Sequence, residues 1–352
     1  MLAYNVIFLI LVFLCLSERS NLLLSRYVPI IFSMICVIVF TSIRGDVGQD
    51  TSNYFMMYYD IEPYKEYLES GFFYLVRASN FIGLEFNGFL LVVSIFSVSM
   101  YFLGISKLVP RKYVILSFLI IFCDLYIYFN ISGMRQGIAL SICLFSTFFA
   151  YRRNIFYFLL WVFFASLFHK SALIFILVYP LLKIKLSYGY KQLLIITVGC
   201  LVFFFISKKL LLGSDSLSFI KGGAMYLSEG YNVFSLDAYI IGIIRRFYPI
   251  FLFLYFHRKF KSDYILTSSF NVYFFGFLIY AVNYPILQDV TVRFSSYFIM
   301  FEAIVVIRIL MNLNHQINKI AILGIIFFIV YFKIFTYSSL DAYEYELMDG
   351  FL

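Results

Sequence analysis

Charged residues are scarce in this chain: they make up 13% of its 352 residues, whereas 63% of the residues are hydrophobic. Charged residues average roughly one quarter of a soluble domain, and a single soluble core of this length cannot hide so much apolar surface. A lipid bilayer can, because it replaces water as the solvent around apolar helix faces. The scarcity of charge therefore excludes an ordinary soluble domain and indicates an all-α, polytopic integral membrane protein.

Sequence signals for disulfides, metal sites and domain linkers are also missing. The five cysteines lie in apolar segments without CxxC spacing, which favours small buried hydrophobic residues. They are Cys15, Cys36, Cys123, Cys143 and Cys200. No Gly-, Ser- or Pro-rich linker and no internal repeat is evident, so we predict one transmembrane domain over residues 1–337. The first apolar run, residues 3–16, lacks a basic N-terminal region and a cleavage site, and we interpret it as a retained span.

Apolar windows predict about twelve transmembrane helices. They cover residues 3–16, 27–43, 88–105, 113–129, 136–151, 155–168, 171–182, 192–206, 239–256, 264–283, 294–310 and 320–337. Residues 71–86 are apolar but carry Arg77 and Glu85, which favours an interfacial or re-entrant helix.

The distribution of Lys and Arg predicts the orientation of the spans. One set of alternate loops holds 15 cations against two acidic residues, whereas the rest of the chain holds 12 cations and 17 acidic residues. By the positive-inside rule the first set is cytoplasmic. Loops 44–70 and 207–238 and a short acidic tail, residues 338–352, then lie outside. This distribution assigns much of the net charge of +8 to orientation, and no nucleic-acid partner is expected.

Several cations fall on the outer side, where the positive-inside bias opposes them. They are Arg44, Arg77, Arg135, Lys170, Arg245, Arg246 and Arg293. A charge within hydrocarbon costs about 2.5–3.5 kcal/mol on insertion scales, so such residues usually line a cavity and have a partner. Each alone could instead reach lipid headgroups, and Arg77 is the weakest candidate. Together they predict an anion site, and the planar fork of arginine suits a diphosphate.

Three further segments carry polar groups on the same side. Residues 44–54, R-G-D-V-G-Q-D-T-S-N-Y, combine flexible glycines with groups suited to sugar hydroxyls, although Asp50 or Thr51 could simply cap a helix. Arg135 opens a span whose helix dipole adds to an anion site. His169 is the one imidazole expected outside, and a backbone-bonded belt residue is its alternative role.

Together these motifs resemble the EpsG family of exopolysaccharide polymerases, within the wider class of Wzy-type O-antigen and capsule polymerases. The resemblance rests on R-G-D-x-G-x-D-T-x-x-Y at 44–54, G-x-R-Q-G-I-A-L at 133–140, F-H-K-S-A at 168–172 and V-R-F-S-S-Y-F at 292–298. It extends over residues 1–337.

The resemblance implies a bacterial inner-membrane glycosyltransferase of GT-C-like architecture with its active site facing the periplasm. Such an enzyme transfers a growing glycan from undecaprenyl diphosphate onto a lipid-linked repeat unit. Its partners would be the two lipid-linked oligosaccharides, membrane lipid, a chain-length regulator and a flippase. No cofactor is expected. The external loops show no DxD-like motif, and we predict an activity that needs no metal.

The predicted site divides into three roles. Diphosphate ligands would be Arg44, Arg135, Arg245, Arg246, Arg293 and Lys170; sugar ligands would be Gln136, Tyr54 and Asn53. The base that deprotonates the acceptor hydroxyl would be Asp50, Asp46 or His169, and the sequence leaves these three open.

Other function classes fit parts of the pattern. A transporter or flippase of lipid-linked oligosaccharides suits twelve spans, but transporters typically show internal repeats and midplane sites. A membrane O-acyltransferase needs a catalytic histidine, commonly on its first spans, and no histidine precedes His169. A lipid A–O-antigen ligase would share the donor and differ in its acceptor.

Overall fold

The structure is a computed structural model that describes residues 1–19, 27–184, 235–256 and 263–347, together with Val198, Gly199 and Val202. The predicted span 192–206, apart from Val198, Gly199 and Val202, and loop 207–238, apart from its last four residues, lie outside the described residues. Helices pack into two compact units, Met1–Ile176 with Leu310–Leu352 and Leu177–Ile309. This division does not test the predicted single domain, since one membrane domain can contain two packed groups of helices.

The described elements are helical. In chain order the α-helices are α1 (Leu2–Arg19), α2 (Val28–Ser42), α3 (Thr51–Tyr59), α4 (Ser70–Phe81), α5 (Phe86–Leu108), α6 (Val114–Ile121), α7 (Met134–Tyr151), α8 (Ile155–Ser166), α9 (Val178–Leu181), α10 (Leu236–Phe256), α11 (Tyr264–Asn283), α12 (Gln288–Ile299), α13 (Glu302–Asn312) and α14 (Gln316–Ser338). Short 3-10 helices cover Glu62–Tyr64, Arg111–Tyr113, Lys170–Leu177 and Asp341–Tyr343. Helix α6 continues directly into a π-helix, Phe122–Ser132.

The stretch Arg111–Ser132 forms the centre of the first unit. In the most apolar part of this stretch, which is 18 residues long, 94% of the residues are buried inside the protein. Such burial is expected for a helix that is apolar on every side. Around it, α5 and α7 approach closely: a Cβ on Gly104 would lie 3.0 Å from the backbone nitrogen of Phe145. A small residue at the contact allows two helix backbones to pack tightly.

In the second unit α11 packs against α12. A Cβ on Gly276 would lie only 2.4 Å from the Cβ of Phe298, so the absence of a side chain sets this helix spacing. Helix α10 contains Pro249 in its interior. Because proline has no backbone N–H, it cannot donate the helical bond to the carbonyl of Arg245, four residues earlier.

Six described stretches are long and apolar enough to cross a membrane. They are Phe86–Leu108, Arg111–Ser132, Leu236–Phe256, Tyr264–Asn283, Gln288–Asn312 and Gln316–Ser338. The predicted all-helical membrane protein is thereby supported, whereas the count of twelve spans is not confirmed. Several predicted spans are helices that fall short of the ~20 residues needed to cross hydrocarbon; α8, for example, has 12. Helix α4, predicted to be interfacial, also has 12 residues.

Candidate functional site

Arg44 lies inside the protein, at the start of the first polar loop. Its side chain is fully buried and donates hydrogen bonds to the backbone carbonyls of Thr41 and Ile131, the latter over 3.0 Å. Thr51 is also buried, and its hydroxyl donates to the carbonyls of Val47 and Ile131. Two residues of the loop therefore converge on Ile131, near the end of the π-helix, and fix the loop against the centre of the unit.

The glycines of this loop permit two close approaches. Gly48 has φ +102°, a backbone conformation that side chains disfavour, and a Cβ there would lie 2.9 Å from Ser132. Gly45 donates its backbone N–H to Glu346 over 2.9 Å, and Gly48 donates to Ala342 over 2.7 Å. The predicted acidic tail is thus docked on the loop over its described part.

The predicted site residues of the loop lie in different environments. Arg44, a predicted diphosphate ligand, has no exposed surface in this structure; burial lowers its pKa to about 10, which leaves it charged at neutral pH. Asp46 is exposed and accepts hydrogen bonds from the Ser52 hydroxyl at 2.9 and 2.8 Å. Asp50 occupies the N-cap position of α3 without a side-chain capping bond, and Asn53 is exposed.

Arg135 is the centre of a polar cluster in the first unit. Its Nη1 contacts Glu69 Oε2 at 2.8 Å, and its Nε donates to the Tyr54 hydroxyl at 3.4 Å. The backbone N–H of Lys170 donates to the other oxygen of Glu69, Oε1, over 3.2 Å. The side chain of Arg135 remains 25% exposed. Three predicted site residues, Arg135, Tyr54 and Lys170, are therefore brought together.

The segment that carries Lys170 is fixed by contacts on both sides of it. Gly71 donates its backbone N–H to the carbonyl of Leu167 over 2.8 Å, and a Cβ on Gly71 would lie 2.7 Å from that oxygen. His169 is half-buried, and its Nδ1 lies 2.5 Å from the Ser171 hydroxyl. The imidazole is adjacent in the chain to Lys170, whose amide joins the Arg135 cluster.

Gln136 lies on the buried side of the same helix start. It is fully buried, next to Arg135 at the beginning of α7. Nearby in the chain, Asn130 on the π-helix is also buried, and its Oδ1 accepts a hydrogen bond from Tyr101 over 3.2 Å. The helix start thus directs one polar side chain, Arg135, partly to solvent and another, Gln136, into the core.

The second unit contains the pair Arg245 and Arg246, each only 8% exposed. Arg246 donates to the carbonyl of Gly242 over 3.1 Å, and its guanidinium carbon lies 4.0 Å from the centre of the Tyr280 ring. A Cβ on Gly242 would lie 1.9 Å from the Tyr280 hydroxyl, so this stacking requires glycine there. The two arginines lie one turn before Pro249, where helical bonding is interrupted.

Arg293 lies on α12 of the second unit. Its Nε contacts Asp289 Oδ2 at 2.8 Å, one helical turn away. Both side chains are partly exposed. The predicted cations thus divide between the units: Arg44, Arg135 and Lys170 belong to the first, and Arg245, Arg246 and Arg293 to the second.

Four charged residues with buried or nearly buried contacts are not among the predicted site residues: Glu69, Asp124, Lys333 and Glu302. Glu69 gave no signal, because it lies in a polar loop with other acidic residues. Asp124 and Lys333 form a buried ion pair of 2.9 Å, and buried Glu302 accepts a hydrogen bond from Tyr248 over 2.7 Å. These three lie within predicted spans, so the cost of charge in hydrocarbon could have identified them.

The arrangement around Arg135 can hold an anion. The partly exposed side chain of Arg135, the Tyr54 hydroxyl and the backbone N–H of Lys170, which here bonds to Glu69, are donors that suit phosphate or carboxylate oxygens. Within the described ranges, no three His, Cys, Asp or Glu side chains lie close enough to hold a metal ion. The predicted metal independence is not tested by this observation.

Comparison with known proteins identifies one family. The family model described as the EpsG family matches residues 25–347, nearly the whole chain. No curated protein and no solved structure matches the chain.

Proposed function

The chain belongs to the EpsG family, a Wzy-type polysaccharide polymerase family, and from this membership we propose that it is a periplasmic-facing membrane glycosyltransferase. It transfers a growing glycan from undecaprenyl diphosphate onto the terminal sugar of a lipid-linked repeat unit. Undecaprenyl diphosphate is the leaving group.

The observation that carries the proposal is the geometry around Arg135. This arginine is held by Glu69 and Tyr54, and 25% of its side chain remains exposed. A cation at the edge of an apolar helix bundle, fixed by neighbours and reachable from outside, fits the phosphate end of a lipid whose chain lies in the bilayer.

Charge development in the reaction accounts for the need for arginine. Breaking the bond between the sugar and the diphosphate places negative charge on the leaving oxygen, and a preorganised guanidinium stabilises that charge. We assign this role to Arg135. Arg245, Arg246 and Arg293 remain predicted diphosphate ligands of the second unit, and Arg44 is better placed to support the loop than to contact substrate.

The acceptor hydroxyl must lose its proton as the new bond forms. Asp46, Asp50 and His169 remain the three candidate bases. Asp46 is exposed and His169 half-buried beside the Lys170 segment, so both can be reached by a bound sugar.

Polymer formation by Arg135 variants tests the proposal. Purified protein in detergent would be incubated with a lipid-linked repeat unit, and products would be resolved as a chain-length ladder. Arg135→Ala should reduce the rate of chain growth by about 10²-fold, because one preorganised donor to the developing anion is lost. Arg77→Ala is the matched control, since Arg77 is an exposed arginine paired with Glu62 at 3.5 Å; it should retain wild-type activity.

Two further conditions in the same assay test the rest of the proposal. Chain growth in detergent requires no sealed compartment, so its absence from wild-type protein would favour a transporter. Chelator should leave the rate unchanged, and a loss that Mg²⁺ or Mn²⁺ restores would contradict metal independence. A normal ladder from Arg135→Ala would remove Arg135 from the mechanism.

A further inference from the structure

Glu69 fills the anion position beside Arg135. One of its carboxylate oxygens contacts Arg135 at 2.8 Å and the other accepts the Lys170 N–H at 3.2 Å. The side chain is 10% exposed, whereas that of Arg135 is 25% exposed. A carboxylate with two engaged oxygens occupies the donors that a phosphate group would need.

The position of Glu69 in its own helix makes this contact informative. Glu69 is the N-cap residue of α4, a position that favours Ser, Thr, Asp or Asn because their short side chains accept a hydrogen bond from the first turn. Here it makes no capping bond and contacts Arg135 instead. The carboxylate is thus directed away from its local partners and into the cluster.

The surrounding backbone allows the carboxylate to leave without moving the loop. The bond from Gly71 to Leu167 fixes the backbone two residues after Glu69. Rotation about the side-chain bonds of Glu69 is then sufficient to release Arg135 and the Lys170 amide. Loss of these two contacts therefore requires no movement of the α4 backbone.

We propose that Glu69 is a specificity-determining residue, an internal competitor that excludes singly charged phosphodiester headgroups from Arg135 and admits diphosphates. The inference rests on the proposed function. Abundant anionic phospholipids carry one negative charge, the same as the Glu69 carboxylate. They therefore compete poorly with this carboxylate for Arg135 and the Lys170 N–H. A diphosphate presents more charge and more acceptor oxygens, so it displaces Glu69. An element that opposes the wrong ligand is one of the two ways in which a binding site achieves selectivity.

Binding measurements on Glu69 variants test the proposal. Undecaprenyl diphosphate would be titrated calorimetrically into the full-length protein in detergent micelles, with and without phosphatidylglycerol. Wild-type protein should bind the diphosphate with little effect of phosphatidylglycerol. Glu69→Gln should bind about tenfold more tightly, because the apparent dissociation constant falls when the competent state is populated more often. It should also become sensitive to phosphatidylglycerol.

Two other variants make the result specific. Glu62→Gln removes an exposed glutamate whose partner is Arg77, and it should match wild type in both titrations. Glu69→Asp keeps the charge, but its shorter side chain reaches Arg135 less well. It should therefore bind undecaprenyl diphosphate more tightly than wild type and less tightly than Glu69→Gln. This variant provides a second test if Glu69→Gln is unstable.

The outcomes separate the two proposals. Diphosphate binding by wild type that is unchanged or weakened in both Glu69 variants would overturn the competitor role and leave the proposed function intact. No binding of undecaprenyl diphosphate by wild type or Glu69→Gln would overturn the proposed function, and the role of Glu69 with it.

Discussion

Gly48 occupies a position where both the backbone and the surroundings require glycine. Its φ of +102° is unfavourable for other residues, and Ser132 leaves no room for a Cβ. Gly83 provides a natural comparison, because it has φ +75° and no atom within 4 Å of a built Cβ. The two positions share backbone strain and differ in steric crowding.

Alanine at these two positions should therefore have different effects. Gly83→Ala should cost about 1 kcal/mol from the left-handed backbone alone, and Gly48→Ala should add about 1–3 kcal/mol from overpacking. Thermal unfolding in detergent, followed by the fluorescence of the single tryptophan, Trp161, would compare them. Equal losses for both variants would show that Ser132 does not restrict the loop.

The sequence indicated which residues of the first loop make structural contacts, but it did not indicate what those residues contact. Arg44 was predicted to bind diphosphate and Thr51 was named beside Asp50 as a residue that could cap a helix, yet both are buried and bond to the carbonyl of Ile131. Spacing along the chain does not tell whether an arginine meets a ligand or a backbone carbonyl 87 residues away. The place of Arg135 at a helix start was predicted correctly, because it follows from local sequence, and its position on the outer face stays a prediction.

At the scale of elements, the π-helix is joined to α14 by a buried charged contact. Lys333 on α14 pairs with Asp124 at 2.9 Å, and the Tyr337 hydroxyl donates to Asp124 over 3.1 Å. π-Helices are often found at functional sites, and this one ends at Ser132, separated from the start of α7 by Gly133 alone. The contact therefore holds the element that leads into Arg135.

Breaking this ion pair should destabilise the first unit. Asp124→Asn leaves Lys333 as a buried, uncompensated charge and should cost about 3–5 kcal/mol. The double variant Asp124→Leu, Lys333→Met should recover most of that loss, because neither charge remains. Unfolding by a denaturing detergent would measure both, with the exposed glutamate variant Glu62→Gln as a near-neutral control. A double variant as unstable as the single one would indicate a role beyond charge compensation.

Helix positions could be predicted well from apolar runs, whereas the number of membrane crossings could not. Predicted spans 3–16 and 27–43 correspond to α1 and α2. Both helices are short for a bilayer. Hydropathy alone does not show whether neighbouring parts of the protein cover the ends of a short helix and so allow it to cross the membrane. The change from α6 to a π-helix also left no trace in periodicity, because its residues are buried on almost every side.

At the scale of the whole molecule, the predicted alternation of loops agrees with the contacts of the first unit. Lys107 and Arg152, from two predicted cytoplasmic loops, both lie over the ring of Phe148. The Arg135 cluster joins segments that were all predicted to be external. These contacts bring together two of the predicted cytoplasmic loops and, separately, the predicted external segments around Arg135. Which of them face the cytoplasm stays a prediction from the charge bias.

Cysteine labelling would test the predicted orientation. Lys65→Cys and Lys112→Cys place exposed thiols in an external and a cytoplasmic loop of the same unit. In a background with the five native cysteines replaced, a membrane-impermeant maleimide applied to cells with a permeable outer envelope should label position 65 only. Labelling of position 112 and protection of position 65 would reverse the topology and place the Arg135 cluster on the cytoplasmic face.

The docking of residues 342–347 on the first loop has a consequence for biosynthesis. The bond between the Tyr345 hydroxyl and the carbonyl of Phe40 spans 305 residues of sequence. At about 5–20 residues per second, a ribosome needs roughly 15–60 s to make the intervening chain. During that interval the backbone N–H groups of Gly45 and Gly48 lack the carbonyl acceptors of Glu346 and Ala342. The first loop of a nascent chain therefore reaches its final structure only after residues 342–347 have been synthesised.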